Sequence, residues 1–115
     1  MPTGSDPRSE LARVADAAGP AASAAQTALG GGPVRTRLRA AILALARHRG
    51  PTASICPSDA ARAIGGDGWR ELTAQSRTIA FELARGGDVE ITQHGNVIDP
   101  LAPPRGAIRI QAKQS

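Results

Sequence analysis

Glycine and proline pairs cut this chain into short segments, which leaves room only for brief helices and strands. The cuts fall at Gly30-Gly31-Gly32-Pro33, Gly50-Pro51, Gly65-Gly66 and Gly86-Gly87. Proline suits a helix start because it lacks the N–H that a first turn leaves unpaired. Glycine suits a helix end because it accepts the left-handed backbone that closes a last turn. The spacing therefore predicts helices over Val34–Arg49, Pro57–Ile64 and about Gly68–Arg85, the last capped by Asp67.

Periodicity gives each segment an inner side. Val34, Leu38, Ala41, Ile42 and Leu45 make one buried stripe, and Ala60, Ala61 and Ile64 another. At about 100° per residue, Trp69, Leu72, Ser76, Ile79, Ala80 and Leu83 gather on the core side of the third helix. Arg70, Ala74, Arg77, Thr78, Phe81 and Arg85 gather opposite them. The stretch "ASIC" after the first helix reads as a short strand. "VEITQHGNVID" reads as a hairpin turning at His94-Gly95, with Gln93 facing Asn96, Ile91 facing Ile98 and Val89 facing Pro100. In "AIRIQAK", Ile108 and Ile110 alternate with Arg109 and Gln111, as a last strand would. With one Trp, one Phe and no Tyr, the core must be aliphatic and thin.

This order implies an α+β fold of the winged helix-turn-helix type, with three helices, a β-hairpin wing and a C-terminal strand over residues 34–115. Residues 1–33, rich in Ala, Gly, Pro and Ser, read as a flexible tail. Leu11, Val14 and Ala18 share one face of a short helix, and 21–29 has helical composition. Both stretches are too short and too poor in large apolar groups to repay ordering by themselves.

Lys and Arg total 14 against 10 Asp and Glu. From Val34 onward twelve bases meet seven acids, a net +5; the first 33 residues carry −1. Such a field suits a polyanion, although moderate basicity is also common in Arg-rich proteins with no such partner. Cys56 is the sole cysteine, so no internal disulfide forms, which fits a reducing compartment. No apolar run approaches the roughly 18 residues of a membrane span, and the N-terminus has no secretory apolar stretch. The expectation is a cytoplasmic protein with no membrane association.

Arg70, Arg77 and Arg85 on the third helix, with His94 and Asn96 at the wing tip, are the expected DNA contacts. Glu71 and Glu82 flank that stripe and oppose phosphate. Phe81, on the outer side, is either a contact to a second copy or another protein, or a tolerated exposed ring. Arg35, Arg37 and Arg39 oppose the dipole of the first helix and call for an anion, either phosphate or Asp6, Glu10 and Asp16; screened exposed charge is the alternative. Cys56 reads as a small buried apolar residue rather than a nucleophile. No paired carboxylates, nucleophile–base pair or cofactor loop is visible, so neither an enzyme nor a cofactor is expected. His94 and His48 lack metal-ligand spacing, so no metal is expected. The alternative to DNA binding is a non-enzymatic protein-interaction or dimerisation module.

"ILALA" at 42–46, "SICPSDAARAIGG" at 54–66, "WR" at 69–70, "VEITQHGNVID" at 89–99 and "IRI" at 108–110 resemble a bacterial family of small proteins filed as a domain of unknown function. The resemblance covers about 42–110 and implies a winged-helix fold. Ser76 stands where that family has an aliphatic residue, and Thr78, Glu82 and Asp88 stand where it is often basic. Some similar proteins carry the label of an S-adenosylmethionine-dependent tRNA ribosyltransferase, for which this chain is too short.

Overall fold

The helix expected at 34–49 forms over those residues and becomes the axis on which the other helices pack. The computed structural model describes residues 6–17, 19, 21–50 and 53–113. In chain order these form α1 (Pro7–Asp16), α2 (Ala22–Leu29), α3 (Val34–Arg49), α4 (Pro57–Gly65), a 3-10 helix (Gly66–Leu72), α5 (Thr73–Arg85), β1 (Val89–Gln93), β2 (Asn96–Val97) and β3 (Arg109–Ala112). The fold is α+β, with helices on one small antiparallel sheet, and its order is compatible with a winged helix. Ala18 and Pro51, which the sequence assigned to a helix face and a helix stop, lie outside the described residues.

The middle of α3, residues 40–46, is apolar and buried all round. Leu38, Ala41, Ile42 and Leu45 are buried as expected, and so are Ala40, Leu43, Ala44 and Ala46 on its other sides; Val34, at the first turn, is 41% exposed. A helix of that kind needs cover on more than one face. α4, α5 and β3 supply one part of it, and α1 and α2 supply the rest.

The flexible tail expected for residues 1–33 is corrected by this arrangement. Its described residues form two helices with Leu11, Val14, Ala25 and Ala28 in the core. Neither helix orders alone; docking provides what composition lacks. Asp6 caps α1 by accepting from the Ser9 amide at 2.8 Å, and that bond holds its carboxyl below the usual carboxylate range. This contribution to α1 is therefore present above the ordinary carboxylate pKa and is lost as pH falls through the lowered value.

Polar tethers fix the layer. Arg8 donates to Ala63 O at 3.1 Å, Gln26 to Ala15 O at 3.1 Å and Arg37 to Ala28 O at 2.9 Å. Glu10 is buried and takes two bonds from Arg49, Nη2 to Oε1 at 2.8 Å and Nε to Oε2 at 3.1 Å. The same guanidinium donates to Ser54 O at 2.9 Å, so one residue joins α1, the end of α3 and the segment leading to α4. The hydrogen bond to Glu10 raises the Arg49 pKa.

Two of the three cations at the start of α3 find acidic partners in α5 and just beyond it rather than in Asp6, Glu10 or Asp16, while Arg37 bonds the Ala28 carbonyl of α2. Arg35 pairs with Glu82, and Arg39 lies 3.9 Å from Asp88. Both pairs are largely exposed and add little stability.

The sheet order is β2-β1-β3, all antiparallel. The hairpin register matches expectation: Gln93 pairs with Asn96, and the Ile98 amide donates to Ile91 O at 3.0 Å. His94 and Gly95 take φ of 52° and 83°, the left-handed pair that a two-residue hairpin turn needs. The expected Val89–Pro100 pair does not form, because the chain turns away at Asp99, whose side chain accepts from the Leu101 amide at 2.9 Å. Val89 pairs instead with Ala112 of β3. The short strand in "ASIC" reduces to Ile55, which exchanges two 2.7 Å backbone bonds with Ile110.

Docking of α1 is testable. Leu11→Ala should cost about 2–4 kcal/mol by urea denaturation, as deletion of a fully buried leucine side chain does. Glu10→Ala should cost about 1–3 kcal/mol by stranding the donors of Arg49. Parent-like stability in both variants would mean that α1 does not belong to the folded unit.

Candidate nucleic-acid interface

α5 is positioned from below by one buried hydroxyl. Ser76, with no exposure, donates to Pro57 O at 2.8 Å and so fixes α5 against the first turn of α4. The hydroxyl makes this contact directional. Ile79, Ala80 and Leu83 fill the remainder of this side, as the sequence predicted.

The lead-in to α5 departs from expectation. Residues 66–72 wind as a 3-10 helix, and Asp67 caps neither it nor α5. The segment is broken at Gly68, whose φ of −92° and ψ of 16° are not helical, and its turns hold three residues each, so an α-helical count does not carry the phase of α5 back to Trp69. Trp69 is half-buried and lies outside the core cluster, contrary to its expected place. Two guanidiniums lie over its ring, Arg62 at 4.8 Å and Arg70 at 4.6 Å from the centroid. Arg62 was not foreseen as a site residue, because no spacing within α4 signals that it meets a side chain seven positions on.

Beyond Thr73, α5 exposes Ala74, Gln75, Thr78, Glu82 and Arg85. Arg77 does not project from this face. It donates to Gly106 O at 2.7 Å and Pro104 O at 2.6 Å, and its guanidinium carbon lies 5.5 Å from the Phe81 ring centre. Phe81 itself is 4% exposed, which corrects its expected place on an outer contact face. The helix count placed the core on one side of α5 only. The stacked Arg77 and the loop after β2 cover a second side, where Arg77, Thr78, Phe81, Arg85 and Pro103 line a cavity of about 190 Å³.

The loop from 98 to 108 is held at two points. Arg77 grips it from α5, and Gln93 Nε2 donates to Arg105 O at 2.7 Å and Ala107 O at 3.2 Å from β1. His94 and Asn96 are exposed at the hairpin tip as expected, and Arg105 is exposed on the loop. Thus Arg70, Arg85, His94 and Asn96 keep their expected exposure, while Arg77 becomes an internal brace.

Cys56 is half-buried, more open than expected, and receives a hydrogen bond from Arg109 Nη1. Asp59 accepts from the Cys56 amide at 2.8 Å, the capping role expected of it. Among the described residues no group of three or more His, Cys, Asp and Glu is placed to hold a metal ion, and no helix is long and apolar enough to cross a membrane.

The brace makes a specific prediction. Arg77→Ala should speed amide exchange in the 104–107 loop, with a smaller change in global unfolding free energy than Ser76→Ala, which strands the Pro57 carbonyl at a cost of about 1–3 kcal/mol. Unchanged exchange in that loop would remove Arg77 from this role.

No curated protein matches the chain. Residues 35–113 match the family described as "Protein of unknown function (DUF3253)", a span that runs from the first turn of α3 past the end of β3 and leaves α1 and α2 ahead of it. The chain is thus a member of the DUF3253 family of proteins of unknown function.

Proposed function

We propose that this domain is a winged helix that binds double-stranded DNA, with the exposed side of α5 toward the major groove and the loop after β1 as the wing. In this reading Ile55, β1 and β3 are the three strands of a winged-helix sheet, and residues 94–108 form the wing. One observation carries the reading: Arg77 pins that loop to α5 through two backbone carbonyls, beside a helix face left open to solvent. Helix and wing are thereby held at a fixed angle before any partner arrives, and such preorganisation lowers the cost of binding.

The side chains on that surface suit the task. Gln75 and Thr78 are short polar groups able to bond base edges, and Ala74 leaves room for a close approach. Arg70, Arg85 and Arg105 are placed for phosphates, with His94 and Asn96 at the wing tip along the backbone. Arg77 acts by positioning the wing. The pairing of Glu82 with Arg35 offsets the one carboxylate on the exposed face of α5 that would repel phosphate.

A second reading rests on the wing itself. Val97 is 60% and Leu101 75% exposed, apolar surface that would suit a protein partner or a second copy of this chain. The buried position of Phe81 removes it from that reading.

Fluorescence anisotropy with a mixed-sequence duplex separates the two. The DNA reading expects affinity to fall linearly with salt on logarithmic axes. Arg70→Ala and Arg105→Ala should each reduce the slope by about 1. No binding at low salt, or a slope untouched by both substitutions, would refute it. Concentration-dependent mass in sedimentation that is lost in Val97→Ser would then support the second.

A further inference from the structure

A row of arginines runs along the seam between α2 and α3. Arg35, Arg39 and Arg47 stand at i, i+4 and i+12 of α3, positions that share one side of a helix and spread over roughly 18 Å of its axis at about 1.5 Å per residue. All three line an open groove of about 510 Å³ against α2. That volume falls within the roughly 300–1,000 Å³ of small-molecule sites. The facing wall is neutral, because no residue of α2 carries a charge. Ser23 from α2 and Thr36 from α3 add exposed hydroxyls, and the buried Ala40 and Leu43 form the floor. The groove is built before any ligand arrives: Ala25 and Ala28 anchor α2 in the core, and Arg37 holds the Ala28 carbonyl at 2.9 Å.

Two acids stand near the groove, and neither lines it. Glu82 pairs with Arg35, and Asp88 lies 3.9 Å from Arg39, at the limit of an ion pair. Arg47 is exposed, and its guanidinium has no ion pair or hydrogen bond among the described residues. The lining therefore holds three positive charges and no negative one. Exposed pairs of this kind are weak and exchangeable, but they filter what can replace them. Glu82 and Asp88 are tethered, at an effective concentration on the order of millimolar, so a free monocarboxylate gains little by taking their place. A ligand that wins must carry several charges on one short chain. No aromatic ring lines the groove to stack a nucleobase. Guanidiniums bond phosphoryl oxygens through parallel N–H groups, so a chain of phosphates can meet successive arginines of the row.

We propose that the groove between α2 and α3 binds a linear oligophosphate. Arg47 and Arg39 bond its phosphoryl oxygens, Arg35 stands at one end, and the Ser23 and Thr36 hydroxyls donate from the two walls. None of these residues is among the proposed DNA contacts, so the two readings stand or fall separately.

The test is a heteronuclear NMR titration of the full chain with sodium tripolyphosphate at fixed ionic strength, without DNA or divalent metal. The amides of Ser23, Thr36, Leu43 and Arg47 should shift saturably, while those of His94 and Arg105 stay still. Orthophosphate, too short to bridge two arginines of the row, should bind at least about tenfold more weakly. Arg47→Gln should weaken tripolyphosphate about tenfold, the size of one lost bond to a charged acceptor, and should melt with the parent because its guanidinium has no partner to lose. Arg62→Gln, which removes the same charge from α4, should leave the affinity within about twofold, as a screened charge outside the groove does. The absence of a saturable shift with tripolyphosphate overturns the proposal, as does parent-like affinity in Arg47→Gln. Orthophosphate binding as tightly, or equal weakening by Arg47→Gln and Arg62→Gln, also overturns it, because net charge rather than the groove would then hold the anion.

Discussion

Burial of α3 on more than one side is the constraint from which the rest of the fold follows. Leu38, Ile42 and Leu45 are fully buried, and Ala40 and Leu43, which line a groove against α2, are buried as well. A chain with one tryptophan, one phenylalanine and no tyrosine has few large side chains with which to seal such a helix. It relies on close approach instead. Alanines on α2, α3 and α4 bring backbones together, and dispersion between well-fitted small groups replaces the large areas that aromatic rings would bury. α1 and α2 are therefore part of the hydrophobic core, even though the family match begins after them.

The guanidiniums divide by what their donors do. Arg8, Arg37, Arg49, Arg77 and Arg109 each bond a backbone carbonyl outside their own helix or strand. They keep their charge and still contribute to the positive field, but their hydrogen-bonding geometry is used inside the molecule. Sequence pI measures the field and not the donors left for a partner. This is why a stripe of three arginines, Arg70, Arg77 and Arg85, became one stacked residue, one brace and one exposed side chain. For the same reason the interface reading now leans on Gln75, Thr78 and Arg105 as well.

What was legible in the sequence was local. The bounds of α3, the proline start of α4 and the register around His94-Gly95 follow from turn chemistry acting over a few residues. What was not legible required knowing a neighbour. Leu11 and Val14 look too sparse to order a helix until α3 offers them an apolar wall. Phe81 looks exposed until Arg77 and the loop beyond Asp99 close over it. Trp69 was misplaced because helix phase does not carry through the kink at Gly68 and the 3-10 turns on either side of it. The Arg62–Trp69 contact leaves no trace in either segment alone.

Arg77 joins these threads. Its guanidinium lies against Phe81, two of its N–H groups hold the wing loop, and its side chain also lines the cavity beside Thr78 and Arg85. A lysine could supply the charge but not the planar fork that meets two carbonyls while stacking on a ring. The loop between Asp99 and Ile108 has little else to hold it, since its other side-chain tether is the amide of Gln93. Its position is therefore held by two side chains, Arg77 from α5 and Gln93 from β1, and Arg77 is the one that ties it to the exposed helix.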